Sequence, residues 1–161
     1  MVKPRRSELT EESVEGARFL IVEARFYEDV AAQLHEGAVA ALKRAQAHYL
    51  SWQVPGALEI PIAMAIALEA AEASGTPFHG ALALGCVIRG ETAHFEIVAH
   101  ESARALMDLA LARRLPVGNG ILTVENAAQA KERADPRRGD KGGDAARAAL
   151  ALYRLKAGRG I

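Results

Sequence analysis

The order of apolar segments constrains this chain more than any other feature, because short strand-like runs alternate with longer helix-like stretches. The strand-like runs lie at 19–22, 48–54, 80–88 and 117–124. A helix-like stretch follows each run, starting near 30, 59, 98 and 126, and a last helix is expected from about 142 to 156. Four strand-then-helix units in series favour a parallel sheet with right-handed crossovers.

The spacing of apolar residues supports these units. Val30, Leu34, Ala38 and Leu42 recur every four residues, which is typical of one face of a helix. Gly80–Ile88 is apolar almost without interruption, as expected for a strand that helices cover on both faces. We therefore predict an α/β fold, a three-layer α/β/α sandwich around a four-stranded, mostly parallel sheet of the flavodoxin-like kind.

Composition limits the number of domains and the kinds of partner. With 161 residues and 50% hydrophobic content, we expect one domain over 1–161, with flexible ends at 1–16 and 157–161. The 20 basic residues balance the 20 acidic ones, so no net charge attracts nucleic acid or a membrane surface. No apolar run approaches the roughly 20 residues of a membrane span, and the charged lead-in lacks the apolar core of a signal peptide. We expect a cytoplasmic protein whose partners are small molecules or other copies of itself.

Polar and aromatic residues are frequent where the predicted strands end. In parallel sheets, ligands bind beyond the carboxyl ends of the strands. Four segments leave these ends, namely 25–27, 55–59, 88–94 and 123–125. Because such ends lie at one edge of a sheet, the four segments can converge on one crevice.

The first two strand ends each carry a residue with two interpretations. Phe26 could stack on a planar heterocycle, although periodicity alone favours a core phenylalanine that covers the sheet edge. Glu59 could accept hydrogen bonds from polyol hydroxyls or ring N–H groups. It also begins a helix, where a carboxylate interacts favourably with the positive end of the dipole, and without further information this second interpretation is favoured.

The third strand end is suited to phosphate binding and proton transfer. Gly90-Glu91-Thr92 lies between a strand and a helix start, where unpaired backbone N–H groups and a hydroxyl can hold a phosphate. His94, just inside the helix, can transfer protons near neutral pH. Each feature by itself also fits an ordinary surface turn or a structural histidine.

A basic loop precedes the last helix. Arg133 and Lys141 flank 134–140, a segment with glycine and proline that suits an anionic ligand and a solvated loop equally well. Glu96 and His100 have the i,i+4 spacing of metal ligands, but the pattern offers no third and fourth ligand. We therefore expect no metal site.

Other catalytic signatures are missing from the sequence. It has no Gly-x-Ser-x-Gly elbow, no Walker A loop and no Gly-x-Gly-x-x-Gly after the first strand. The single cysteine, Cys86, lies inside an apolar run and is interpreted as a structural thiol, so no disulfide framework is expected. These features argue against hydrolases, kinases and dehydrogenases.

Taken together, the strand ends resemble those of the lumazine synthase family. The resemblance lies in Ala24-Arg-Phe26, Val54-Pro-Gly-Ala-Leu-Glu-Ile-Pro61, Ala83-Leu-Gly-Cys-Val-Ile-Arg-Gly-Glu-Thr-Ala-His-Phe95, Asn119-Gly-Ile-Leu-Thr123 and Lys141-Gly-Gly-x-Ala-Ala146. The Val-Ile-Arg-Gly-Glu-Thr-x-His segment is the most specific of these. The similarity keeps the same order from about Arg18 to Leu155.

The resemblance implies a reaction without a redox or metal cofactor. The family condenses 5-amino-6-ribitylaminouracil with 3,4-dihydroxy-2-butanone 4-phosphate and releases phosphate and water. The chemistry comprises imine formation, phosphate elimination and ring closure. By this likeness, His94 is the residue that transfers protons.

The resemblance also implies which residues bind the substrates. The pyrimidine and its ribityl chain would contact Phe26, Ala57, Leu58, Glu59, the backbone of Val87 and Ile88, and Asn119. The phosphate would contact Glu91 and Thr92 through backbone N–H groups, together with Arg133, and Lys141 would assist. In this family the site forms between neighbouring subunits, which implies a homo-oligomer with a pentameric ring as its minimum.

Three departures from the family pattern affect these expectations. Tyr27 replaces an asparagine that many relatives carry, and Asn119 replaces an aromatic residue that often approaches the pyrimidine, so substrate affinity is expected to differ. The turn from Arg133 to Lys141 lacks the Gly-Thr-Lys-x-Gly-Asn form of shell-forming relatives. We therefore expect a free pentamer.

Two further interpretations remain open at this point. A non-catalytic paralogue that binds flavin or lumazine would keep all of these residues. A purely structural, scaffold-forming oligomer would not need His94 and Arg133, so their presence argues against it.

Overall fold

The computed structural model describes residues 12–158, in which the strands and helices alternate as the sequence predicts. The strands are β1 (Arg18–Ala24), β2 (His48–Val54), β3 (Gly80–Ile88) and β4 (Val117–Val124). The helices are α1 (Glu28–Arg44), α2 (Glu59–Ala73), α3 (His94–Arg113), α4 (Ala127–Ala134) and α5 (Lys141–Lys156). The predicted boundaries of β2, β3 and β4 are the observed ones.

The sheet has the strand order β2-β1-β3-β4, and each of these pairings is parallel. Side chains alternate between its two faces, so Phe19 and Ile21 pack in one buried cluster while Leu20 and Val22 pack in the other. The first cluster lies beneath α1 and α5, and the second lies beneath α2 and α3. The predicted three-layer, flavodoxin-like sandwich is confirmed, and its sheet is parallel throughout.

The two outer strands differ from the central pair in burial. Most of β3 is buried, as its continuous apolarity predicts, whereas β2 is exposed along nearly its whole length. Tyr49, Leu50 and Trp52 on β2 are large apolar side chains that remain exposed in the single chain. No helix among residues 12–158 has the length and apolarity that crossing a membrane requires.

The predicted flexible ends lie only partly within the described residues. Residues 1–11 and 159–161 are outside them. Val14 is fully buried, and its N–H donates to the carbonyl of Ala45 at 2.9 Å. At the other end, the N–H of Ala157 donates to the carbonyl of Tyr153 at 2.9 Å and continues the bonding of α5.

Helix α5 approaches α1 so closely that only glycine fits at Gly142. A Cβ atom there would overlap the backbone carbonyl of Leu34 on α1. Because backbone atoms cannot rotate away as a side chain does, we expect Gly142→Ala to lower the free energy of unfolding by about 3 kcal/mol. This outweighs the gain of about 1 kcal/mol that alanine brings to an open helix position.

Denaturant unfolding at one fixed protein concentration measures this effect. Ala40→Ser is the matched control, since it adds one atom at an exposed position of α1. A Gly142→Ala variant as stable as the control would mean that the two helices separate without cost.

Candidate functional site

Phe26 follows β1 directly and is the most exposed large apolar residue in the described chain, with 73% of its surface accessible. The favoured interpretation of Phe26 as a core residue is therefore wrong. Its ring meets that of Tyr27 edge to face, with centroids 5.0 Å apart. One face of Phe26 is available for stacking on a planar ligand.

Polar contacts surround the turn that carries Phe26. The carboxylate of Glu23, only 2% exposed, accepts from Nη1 of Arg25 at 3.0 Å and lies 2.9 Å from Nδ1 of His35. Arg25 also donates to Glu28 at 2.6 and 2.8 Å. The hydrogen bond from Arg25 holds the pKa of the Glu28 carboxyl below its ordinary value. These contacts lie on either side of Phe26, whose own side chain is exposed.

The second strand end places Ala57, Leu58 and Glu59 at the start of α2. Ala57 is buried, Leu58 is half-buried and Glu59 is exposed. Glu59 is the acidic residue in the first turn of α2, so its carboxylate interacts favourably with the positive end of the helix dipole. It is also accessible to a hydroxyl or ring N–H group, so both interpretations of Glu59 are compatible with this position.

The third strand ends in an exposed loop that leads into α3. Val87 and Ile88 are half-buried and pair with Thr123 and Val124 of β4. From Arg89 to His94 every residue is exposed. His94 begins α3, and its N–H lies 3.4 Å from Oγ1 of Thr92. First-turn N–H groups and an accessible imidazole thus lie together, an arrangement that can bind an anion and transfer a proton.

A second group of candidate residues lines a groove beside β4. The groove has a volume of about 320 Å³, and Asn119, Arg133 and Lys141 all line it, together with Asp144. Oδ1 of Asn119 accepts from the N–H of Ile121 at 2.9 Å. Arg133 is half-buried at the end of α4, and Lys141 begins α5. Two cationic side chains on one groove suit an anionic ligand.

Asp144 moderates the positive charge of this groove. Its carboxylate accepts from Nζ of Lys141 at 3.2 Å and from Nη2 of Arg147 at 2.6 Å. Burial alone would raise the pKa of Asp144, but these hydrogen bonds outweigh it, so the pKa lies below its ordinary value. Asp144 therefore remains ionised at neutral pH and orients Lys141.

The candidate residues divide into two groups according to the elements that carry them. The groove beside β4 brings Asn119, Arg133 and Lys141 together, but its lining includes no residue of the segments that follow β1, β2 and β3. The predicted phosphate ligands are divided in the same way, with Glu91 and Thr92 in one group and Arg133 and Lys141 in the other.

Sequence reasoning missed a network around Arg89. Its Nε donates to Glu125 at 2.8 Å, its Nη1 donates to Glu96, and its guanidinium lies over the ring of Phe95, 4.3 Å from the centroid. The register of the sheet is the signal that points to this network. Ile88 pairs with Val124, so the residues that follow them, Arg89 and Glu125, are neighbours.

The remaining candidates, Glu96 and Cys86, have contacts or burial that fit a structural role. Glu96 accepts from Arg89, which lowers the pKa of its carboxyl. Within residues 12–158 no three potential ligands of the His, Cys, Asp and Glu types are grouped for a metal ion. Burial raises the pKa of the Cys86 thiol to about 11, which leaves it protonated at neutral pH and unsuited to nucleophilic attack.

Comparison with known proteins identifies relatives along almost the whole chain. A family model described as 6,7-dimethyl-8-ribityllumazine synthase matches residues 16–157. A protein of that name from Methylocella silvestris is 66% identical over 157 residues, covering 96% of this chain and 95% of the relative. One from Beijerinckia indica subsp. indica is 68% identical over 143 residues, covering 89% and 77%. A 6,7-dimethyl-8-ribityllumazine synthase 1 from Rhodopseudomonas palustris is 60% identical over 157 residues, covering 97% and 96%.

Proposed function

The chain belongs to the 6,7-dimethyl-8-ribityllumazine synthase family, and we propose that its two groups of site residues together carry out the reaction of that family. The protein is a transferase of riboflavin biosynthesis. It condenses 5-amino-6-(D-ribitylamino)uracil with 3,4-dihydroxy-2-butanone 4-phosphate to give 6,7-dimethyl-8-ribityllumazine, phosphate and water, the penultimate step of the pathway.

The pyrimidine substrate binds at the ends of β1, β2 and β3. Phe26 stacks on its ring, which the exposure of this side chain supports. Ala57, Leu58 and Glu59 hold the ring edge and the ribityl chain, and the accessible carboxylate of Glu59 is a suitable acceptor for their N–H and O–H groups. Backbone groups of Val87 and Ile88 complete these contacts, and Asn119 approaches the ring.

The phosphate substrate binds where N–H groups and cations are available. Backbone N–H groups of Glu91 and Thr92 precede α3, where the helix dipole favours an anion. Arg133 offers a planar guanidinium that can bind two phosphate oxygens at once, and Lys141 adds a second positive charge. These contacts stabilise the negative charge that develops on the phosphate as it is eliminated.

His94 transfers protons during the reaction. Imine formation, phosphate elimination and ring closure each move protons to or from nitrogen, carbon or oxygen atoms. An imidazole can accept and donate protons near neutral pH, and the exposed His94 follows the phosphate-binding loop directly. This juxtaposition is the observation that carries the proposal. Holding both substrates beside His94 contributes a further part of the rate.

The active site forms between neighbouring subunits of a homopentamer. No residue of the His94 loop lines the groove that holds Arg133 and Lys141. This supports the arrangement, because a second copy can bring its groove to the loop. Apolar side chains that remain exposed on α2 and α3 also favour association; they are Ile62, Ile66, Ile97, Met107 and Leu111. The form of the 133–141 turn favours a free pentamer over a shell.

The enzyme works in the cytoplasm on small-molecule substrates, with other copies of itself as its protein partners. The balanced charge supports the absence of nucleic acid and membrane partners. The single cysteine fits a reducing compartment.

Product formation tests this proposal. Purified protein mixed with both substrates should increase the absorbance of lumazine above a blank without enzyme. Arg133→Ala should raise the KM of the phosphate substrate by roughly 10- to 100-fold, because a hydrogen-bonded charge pair is lost. Arg137→Ala, an exposed arginine in the same loop, is the matched control. Tight binding of lumazine without turnover would contradict the enzyme and favour the non-catalytic paralogue.

A further inference from the structure

Arg89 connects the loop before α3 to two neighbouring elements. Its backbone N–H donates to the carbonyl of Val124 at 2.9 Å, which fixes the start of the loop against β4. Its side chain donates to Glu125 beyond β4 and to Glu96 in the first turn of α3, and it covers the ring of Phe95. We infer that Arg89 is a positioning residue that holds the phosphate-binding loop, Gly90–Ala93, in its binding conformation.

The loop itself has few contacts that could order it. Every residue from Gly90 to Ala93 is exposed. A Cβ added to Gly90 would meet no atom within 4 Å, so the chain here passes through open space. A backbone with so little packing has many accessible conformations. The Arg89 side chain limits them because it links the residue before the loop to Phe95 and Glu96 after it.

The network is better suited to ordering the loop than to stabilising the fold. The side chains of Arg89, Glu96 and Glu125 are 41%, 48% and 58% exposed. Ion pairs with this exposure contribute little to the free energy of unfolding. Their effect is instead local, because backbone N–H groups bind phosphate well only when they already point at one place.

Arg89 acts through the loop and does not bind the phosphate itself. Its guanidinium already donates to two carboxylates and stacks on Phe95. The hydrogen bond from Arg89 also lowers the pKa of Glu96, so that partner stays ionised at neutral pH. A phosphate bound at this guanidinium would lie close to both negative carboxylates, which would weaken its binding there.

This inference rests on the proposed binding of phosphate by Glu91 and Thr92, and steady-state kinetics of the assembled enzyme test it. Arg89→Gln should raise the KM of the phosphate substrate and the inhibition constant of inorganic phosphate together, by roughly 3- to 10-fold. The KM of the pyrimidine substrate should stay within about twofold. For Arg89→Lys, the KM of the phosphate substrate should lie between that of the unmodified enzyme and that of Arg89→Gln, because one ammonium group cannot span both carboxylates. Arg104→Gln is the control, since Arg104 also pairs with two carboxylates on α3.

The carboxylate partners distinguish positioning from direct binding. If Arg89 positions the loop, Glu96→Gln and Glu125→Gln each weaken the binding of inorganic phosphate. If Arg89 contacts phosphate directly, removing a competing carboxylate tightens that binding and overturns the inference. An Arg89→Gln variant with the kinetics of Arg104→Gln also overturns it. If either result overturns the inference while Arg133→Ala still raises the KM of the phosphate substrate, the proposed phosphate site itself stands.

Discussion

His94→Ala is expected to lower kcat by roughly 10²- to 10⁴-fold, the usual contribution of a positioned acid or base. The KM of both substrates should change much less, because the role proposed for this imidazole is proton transfer in the transition state and not ground-state binding. His94 is exposed and begins α3, so its removal leaves no cavity in the core. Initial rates of lumazine formation at saturating substrates measure the loss.

A second histidine on the same helix provides the control. His100 is also exposed on α3, and His100→Ala should retain nearly the full rate. Thermal unfolding of both variants should match that of the unmodified protein. If His94→Ala kept most of its kcat, proton transfer would have to be assigned to another group or to water, and the phosphate site would carry most of the catalysis.

The strands and helices were predictable because the local sequence pattern of each one agrees with its place in the fold. The boundaries of β3 follow from an apolar run that both layers bury, and Pro116 marks the end of the segment before β4. The helix at Ala127–Ala134 follows from Asn126, whose side chain accepts from the N–H of Gln129. Each signal lies within a few residues of the feature that it specifies.

The exposure of Phe26 was not predictable in this way. The segment that carries this residue lies next to the contact between Glu23 and His35, which are close only because β1 and α1 are folded against each other. The Arg89 network likewise depends on the register between β3 and β4. Both are contacts between segments that are separate in the sequence, and periodicity contains no information about them.

Recovery of activity is expected when the two impaired variants are combined and assayed with the phosphate substrate well below the raised KM of Arg133→Ala. His94→Ala subunits retain Arg133, and Arg133→Ala subunits retain His94. If each site takes His94 from one subunit and Arg133 from its neighbour, a ring assembled at random from equal amounts restores both residues in roughly a quarter of its sites. Activity should then rise from a few per cent or less of the unmodified rate to roughly that fraction.

Co-expression with two different affinity tags, followed by sequential purification, isolates the mixed rings for this measurement. Light scattering should give them the mass of a pentamer, and the unmixed variants, purified in the same way, give the baseline. A site contained within one chain could never regain both residues, so mixed rings would remain as inactive as their parents. That outcome would contradict the shared site and require Arg133 to reach His94 within a single subunit, whereas recovery would explain why the His94 loop does not line the groove that holds Arg133.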